Sequence, residues 1–309
     1  MASEARLTTA IPGRRFQVIP LLHAMRPQQW VKNFVVVLAP IFGMRFDVHT
    51  LALVSAAFVV FCAVASGIYL LNDVIDAPAD RQHPVKSLRG VASGAVSIPV
   101  AVSTGAVLLL GGLLLAFTVS MLLGIVMVVY VAIQVAYIVG LKNEPIVDIL
   151  CISSGFVLRA LAGAAAAMVA PSGWFLLCVA LLALFLAIEK RKAELRFVSD
   201  TGATRAVLKA YSVALLLRME SVATGGALVS YGLWAVERSP NHWMLATLPP
   251  VIYGLLRYQL VTERGEGEAP EKALMSSPHI MIAGALWLLT SVAILLVETH
   301  RNLLPHLGQ

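Results

Sequence analysis

Charge is what this chain has least of. Only 13% of its 309 residues are Asp, Glu, Lys or Arg, and 59% are hydrophobic, whereas soluble domains carry about 25% charged residues. A water-soluble fold is excluded on that ground, and the mean hydropathy of +0.84 puts most of the length in lipid. Cysteine is nearly absent. Cys62, Cys151 and Cys178 each lie in an apolar stretch without metal-type spacing, which argues against both a disulfide framework and a zinc site. No cleavable export signal is evident, because the first 33 residues are polar, basic and broken by proline, so the first apolar run is expected to stay as a membrane helix. None of the seven His residues belongs to a recognisable catalytic triad.

What the chain has instead is a series of apolar runs. Nine are expected to cross the bilayer, near 33–44, 51–72, 98–118, 121–141, 146–168, 172–188, 211–235, 243–262 and 278–298. Eight is the alternative count, since the first run is short and contains Pro40, and almost nothing polar separates the third from the fourth. An all-α polytopic membrane protein follows. With nine spans, most of the 23 Lys and Arg residues fall on the side of the amino terminus, and the other side holds only Arg45, Arg238 and Arg301. That bias puts the amino terminus and the loops after even-numbered spans in the cytoplasm. Ahead of the first span, Phe16, Ile19, Leu22 and Met25 recur every three positions among basic residues. This reads as an amphipathic segment lying on the membrane surface, bent at Pro20 and anchored by Trp30. The expected organisation is a cytoplasmic segment over 1–32 and a single transmembrane domain over 33–309. The net charge of +6 is then a property of one membrane face, suited to lipid headgroups and phosphorylated substrates and not by itself a nucleic-acid signal.

One stretch organises the rest. Residues 72–94, NDVIDAPADRQHPVKSLRGVASG, follow directly on the second run. At about 100° per residue, Asn72, Asp73, Asp76 and Asp80 fall within an arc of about 100° on a helix. Acids held so close need a cation, and carboxylates with room for water and phosphate oxygens suit Mg²⁺. Lys86 and Arg89 follow at once and could hold the same phosphates. Other polar residues stand at the same boundary: Gln29, Lys32 and Asn33 before the first span, Tyr137, Lys142 and Asp148 around the loop after the fourth, and Glu189, Lys190, Arg191, Lys192, Glu194 and Arg196 after the sixth. Lys32 also reads as a simple charge anchor. Arg159 lies well inside an apolar run, where an ionised residue needs a cavity or a partner. Asp148 and Arg159 share a helix face about 16 Å apart along the axis, so they are expected to line one polar cavity, with a salt bridge from Arg159 to another helix as the alternative. Arg218 and Glu220 read as a late start to the seventh span.

The motif NDxxDxxxD, filled by Asn72, Asp73, Asp76 and Asp80, resembles the first Asp-rich motif of the UbiA superfamily of intramembrane prenyltransferases. The resemblance covers nearly the whole chain. It implies about nine helices around a central cleft open to lipid, with Mg²⁺ linking the aspartates to a substrate diphosphate. The departures narrow it further. Typical members carry a second acidic motif, DxxxD, after the sixth span, where this chain reads EKRKAEL. Together with YIVGLK, SSGFVLRALAG and the loop GEGEAPEKAL, this pattern looks like the decaprenyl-phosphate phosphoribosyltransferase branch. Gly90 stands where many relatives have proline, and Glu189 where a small residue is expected.

The resemblance implies transfer of 5-phosphoribose from phosphoribosyl diphosphate to a polyprenyl phosphate at the cytoplasmic face of a bacterial inner membrane. Mg²⁺ at Asp73, Asp76 and Asp80, oriented by Asn72, would neutralise the departing diphosphate, helped by Lys86 and Arg89. Lys142, Lys190 and Arg191 are candidates for the 5-phosphate, with Lys32, Asn33, Tyr137, Asp148, Arg159 and Glu194 also expected to bind substrate. His83 is expected to be structural or to lie near a phosphate. Two alternatives stay open: an aromatic prenyltransferase using a prenyl diphosphate, and a transporter whose acids and arginines line a permeation route. A homo-oligomer is also open, with no surface in the sequence marked as its interface.

Overall fold

The computed structural model describes residues 18–201, 206–263 and 277–303. Every regular element among them is helical. A short helix α1 (Val18–Ala24) leads into a 3₁₀ segment (Pro27–Phe34) and α2 (Val35–Phe42). Then come α3 (Val48–Asp80), α4 (Ile98–Val119), α5 (Met121–Val139), α6 (Val147–Ala167), α7 (Gly173–Thr201), α8 (Val213–Arg238), α9 (Leu248–Glu263) and α10 (Pro278–Leu303).

Among the described residues, seven helices are long and apolar enough to cross a membrane: α3 to α8 and α10. The other two expected spans take a different form. In place of a span over 33–44, the chain forms the eight-residue 3₁₀ segment, which begins at Pro27 inside the expected cytoplasmic stretch, and the eight-residue α2, together roughly 28 Å long and so close to the bilayer core. The eighth is a 3₁₀ turn (Trp243–Thr247) followed by the 16 residues of α9. The amphipathic segment also departs from expectation. Pro20 falls in the first turn of α1, where a missing N–H leaves no helical bond unmade, and the break comes at Arg26, whose backbone is left-handed (φ 54°, ψ 59°). Ile19 and Leu22 are exposed while Ala24 packs with Leu70, Ala77 and Val91. Arg14, Arg15 and Phe16 lie outside the described residues, as does the GEGEAPEKAL loop.

Local chemistry sets the helix ends. Asp47 caps α3, accepting from the Thr50 amide at 2.9 Å and the Thr50 hydroxyl at 2.7 Å. Ser120 and Ser212 cap α5 and α8 in the same way. Helix α3 runs 33 residues, about 50 Å, so the aspartates ride on the same rigid rod that crosses the membrane. The outer faces of α4 and α5 present Val107, Leu110, Leu114, Met121 and Leu122 to the surroundings, as lipid contact demands.

Helices in lipid associate through close packing of small residues, and α6 supplies them: Ala160, Ala162, Gly163, Ala164, Ala165 and Ala166 are buried. A Cβ placed on Gly163 would lie 1.7 Å from the Val36 carbonyl oxygen of α2, and one on Gly67 of α3 would lie 2.9 Å from the Gly105 oxygen of α4. The obstacle at Gly163 is backbone and cannot turn aside. Gly163→Ala is therefore expected to destabilise the protein by about 3 kcal/mol, measured as a fall in the thermal midpoint in detergent, while Ala at Gly111, where nothing lies within 4 Å, should leave the midpoint unchanged.

Candidate active site at the charged end of the bundle

The last turns of α3 carry the Asp-rich motif, and three separate segments bring a cation to it. Arg26, at the left-handed break before the 3₁₀ segment, ion-pairs with Asp73. Arg89, in the loop after α3, reaches Asp80 at 2.7 Å and stands 3.6 Å from Asp73. Lys142, after α5, reaches Asp76 at 2.7 Å, and the Asn72 amide donates to the other Asp76 oxygen at 2.9 Å. Asp73 and Asp80 are only 2% and 5% exposed, so without these partners their ionised forms would be costly. Arg26, Asp73, Arg89, Gly90, Ser93 and His23 line a polar cavity of about 350 Å³. His83 does structural work beside it: its Nδ1 accepts from the Val85 and Lys86 amides at 3.2 and 3.3 Å. Partial burial and then Lys86 hold its pKa below the usual histidine value. Lys86 is half-buried on the same loop.

Asp73, Asp76 and Asp80 offer hard oxygen donors, yet among the described residues no three His, Cys, Asp or Glu side chains are gathered to hold a metal by themselves. That arrangement fits Mg²⁺, which takes one or two carboxylates and completes its shell with substrate phosphates and water. It does not fit an ion that needs a full protein cage.

The remaining predicted residues fall into two other groups. Asp148 is fully buried; Arg191 donates to it at 2.5 Å and the Tyr211 hydroxyl at 2.6 Å. Arg191, also fully buried, pairs with Glu194 and reaches the Tyr137 hydroxyl at 3.3 Å. Tyr211 also accepts from the amide of Ile146 at 2.6 Å, whose φ of 70° is strained for a β-branched residue. Arg191 is thus an internal tie between α6 and α7 in place of the expected hand for a phosphate. Arg159 is the second correction. It bonds Asn33, Gly155 and Tyr130 and, among the described residues, shares no hydrogen-bond partner with Asp148 and makes no salt bridge to another helix. Lys32 and Lys190 are half-buried.

Sequence reasoning missed two features. Arg26 heads the boundary stretch RPQQWVKN, of which only Gln29, Lys32 and Asn33 stood out as candidates. Glu220, read as a late helix start, is buried, accepts from Lys192 at 2.5 Å and from Gln259 at 2.7 Å, and joins Glu189, which holds the same ammonium at 2.8 Å. This tie links α7, α8 and α9, and Glu189 is one of its members. Beyond it, toward the membrane interior, Phe42, Phe175, Tyr231, Trp234, Tyr258 and Trp287 line an apolar cavity of about 290 Å³.

The chain is thus a helical bundle of membrane-spanning type with a carboxylate-and-cation mouth at one end and an apolar chamber within it. Residues 34–283 match the UbiA prenyltransferase family, and the chain belongs to that family. It is 38% identical over 305 residues to the decaprenyl-phosphate phosphoribosyltransferase of Mycolicibacterium smegmatis, covering 93% of this chain and 95% of that one. The enzyme of the same name from Corynebacterium glutamicum is 36% identical over 297 residues, covering 91% and 90%. The fold is shared with a UbiA homologue of Archaeoglobus fulgidus whose structure is bound to DMAPP and Mg²⁺ (TM-score 0.67, 18% identity, 89% of this chain and 98% of that one).

Removing one member of a buried pair strands the other. Asp148→Asn should cost about 3–5 kcal/mol, read from thermal unfolding in detergent, whereas Glu194→Gln, whose carboxylate is 27% exposed, should cost under about 1 kcal/mol. Equal losses would show that Asp148 does not anchor Arg191.

Proposed function

We propose that this protein transfers 5-phosphoribose from phosphoribosyl diphosphate to a polyprenyl phosphate, releasing diphosphate, at the cytoplasmic face of the bacterial inner membrane. The observation that carries this reading is the interleaving of Asp73, Asp76 and Asp80 with Arg26, Arg89 and Lys142, which gives one mouth both carboxylates for a cation and fixed donors for several phosphates. Its relatives of nearly full-length similarity bear the name of that reaction.

The donor's anomeric C–O bond to diphosphate breaks, the electron pair leaving with the diphosphate, and a bond forms from that carbon to an acceptor phosphate oxygen. The acceptor is already anionic at neutral pH, so no strong general base is needed. One or two of the Asp73, Asp76 and Asp80 carboxylates would hold Mg²⁺, with Asn72 fixing the Asp76 carboxylate; when bound, the ion supplies charge to neutralise the leaving diphosphate. Arg89 and Lys86 donate to the same diphosphate. Lys142 and Lys190 are assigned the 5-phosphate, and Lys142 exchanges its present Asp76 partner for it. The apolar chamber takes part of the lipid tail and excludes water that would otherwise capture the activated sugar.

Purified protein given phosphoribosyl diphosphate, Mg²⁺ and a polyprenyl phosphate should yield a phosphoribosylated lipid. Product from a prenyl diphosphate and an aromatic acid, with none from the first pair, would replace this reading with aromatic prenyl transfer. Asp76→Asn should lower kcat at least 100-fold without changing the thermal midpoint. Lys142→Met should raise the donor KM about tenfold, as expected for one lost charge-assisted contact.

A further inference from the structure

Arg159 is 5% exposed in the middle of α6. Its Nε donates to Asn33 Oδ1 at 2.8 Å, one terminal nitrogen to the Gly155 carbonyl at 2.8 Å, and the other to the Tyr130 hydroxyl at 3.2 Å. Its guanidinium also lies over the rings of Phe61, Tyr130 and Phe156 at 5.2 to 5.5 Å. None of these partners is a carboxylate. A charge kept in the membrane interior on neutral acceptors and ring faces alone is costly, and a bond between two helices could be made by Asn or Gln at less cost.

What sets Arg159 apart is the element it holds. Asn33 lies near the deep end of the 3₁₀ segment, whose eight residues exceed the three or four such runs usually sustain. The segment and its lead-in are pinned along one face of α3. Asn33 donates to Cys62 Sγ at 3.3 Å, Trp30 to Ser66 Oγ at 3.1 Å, and Ser66 to the Met25 carbonyl at 3.0 Å. Arg26 stacks over Tyr69 at 5.0 Å and pairs with Asp73. Cys62, Ser66, Tyr69 and Asp73 are spaced by four, three and four residues, one stripe of a helix.

We infer that Arg159 is a positioning residue: by fixing Asn33 it keeps this arm in its stretched 3₁₀ form and so places Arg26 against Asp73, ready to grip the donor's diphosphate. A 3₁₀ helix rises about 2.0 Å per residue and an α-helix about 1.5 Å, so relaxation of the arm would shorten it by about 4 Å. That is enough to part Arg26 from Asp73. The arm's register would show itself at Cys62, a native thiol only 7% exposed and covered by Asn33.

The grip on the donor rests on the phosphoribosyl-transfer reading; the placing of the arm does not. The test combines two readouts on full-length Arg159→Met and Arg159→Lys protein in detergent: labelling of Cys62 by N-ethylmaleimide, mapped by peptide mass, and donor KM against kcat. In Arg159→Met, Cys62 labelling should quicken at least threefold and donor KM rise about tenfold, with kcat within threefold; Arg159→Lys should lie between it and the native protein. Unchanged Cys62 labelling, or a fall in kcat at constant donor KM, overturns the inference. If the native protein makes no phosphoribosyl lipid, the labelling still decides the placing of the arm, and only the reaction assignment fails. Asn33→Ala, a smaller change, carries the same expectation where Arg159→Met does not fold, and Asn33→Ala with unchanged labelling and KM also overturns it.

Discussion

A carboxylate carried into a bundle that sits in hydrocarbon must meet its counter-charge there, because neither water nor salt can reach it cheaply. Asp73, Asp80, Asp148, Glu189 and Glu220 are all buried, and each is met by an Arg or Lys, from another segment for all but Glu189, whose partner Lys192 lies one turn along the same helix. This constraint fixes the arrangement of the charged end. It ties the amino-terminal arm and two loops to α3, locks α6 to α7 through Asp148 and Arg191, and joins α7 to α8 through Lys192. The same low-dielectric setting that makes an unpaired acid costly makes each charge-assisted contact strong.

These pairs differ in what they can release. Asp148 and Arg191 have no exposed side-chain surface, so they hold the scaffold. Arg26 and Arg89 are 27% and 30% exposed, and the polar cavity reaches both. Their guanidiniums keep surface that the buried Arg191 lacks, and both line one cavity with Asp73. The mouth therefore holds carboxylates and cations side by side at one end of the bundle. The apolar chamber is the opposite kind of site, walled by aromatic and aliphatic side chains.

Much of this was legible along the chain. Hydropathy placed the long helices, and the 3- and 4-residue spacing of Asp73, Asp76 and Asp80 put them on one face of a helix that does run unbroken through Asp80. The first and eighth spans were harder. An apolar run near 33–44 does not reveal that the chain leading into it will be 3₁₀ over Pro27–Phe34, because α and 3₁₀ differ only in which carbonyl each amide meets, and the contacts of this segment are made to Arg159, Ser66 and Cys62 on other helices. Glu220 misled for a related reason: a charge at the edge of an apolar run reads as a boundary unless its partner is known.

The sequence by itself determined the membrane environment, the helical class, the motif and the side on which charge collects, all of which follow from local spacing and composition. Only the tertiary structure decided who meets whom. Arg26 lies 47 residues from Asp73, Lys142 lies 66 from Asp76 and Arg191 lies 43 from Asp148, and over such distances the only guide is how helices pack. That packing turned Arg191 from a candidate ligand into a strut and made Arg26, one basic residue among several, the closest cation to the motif's first aspartate.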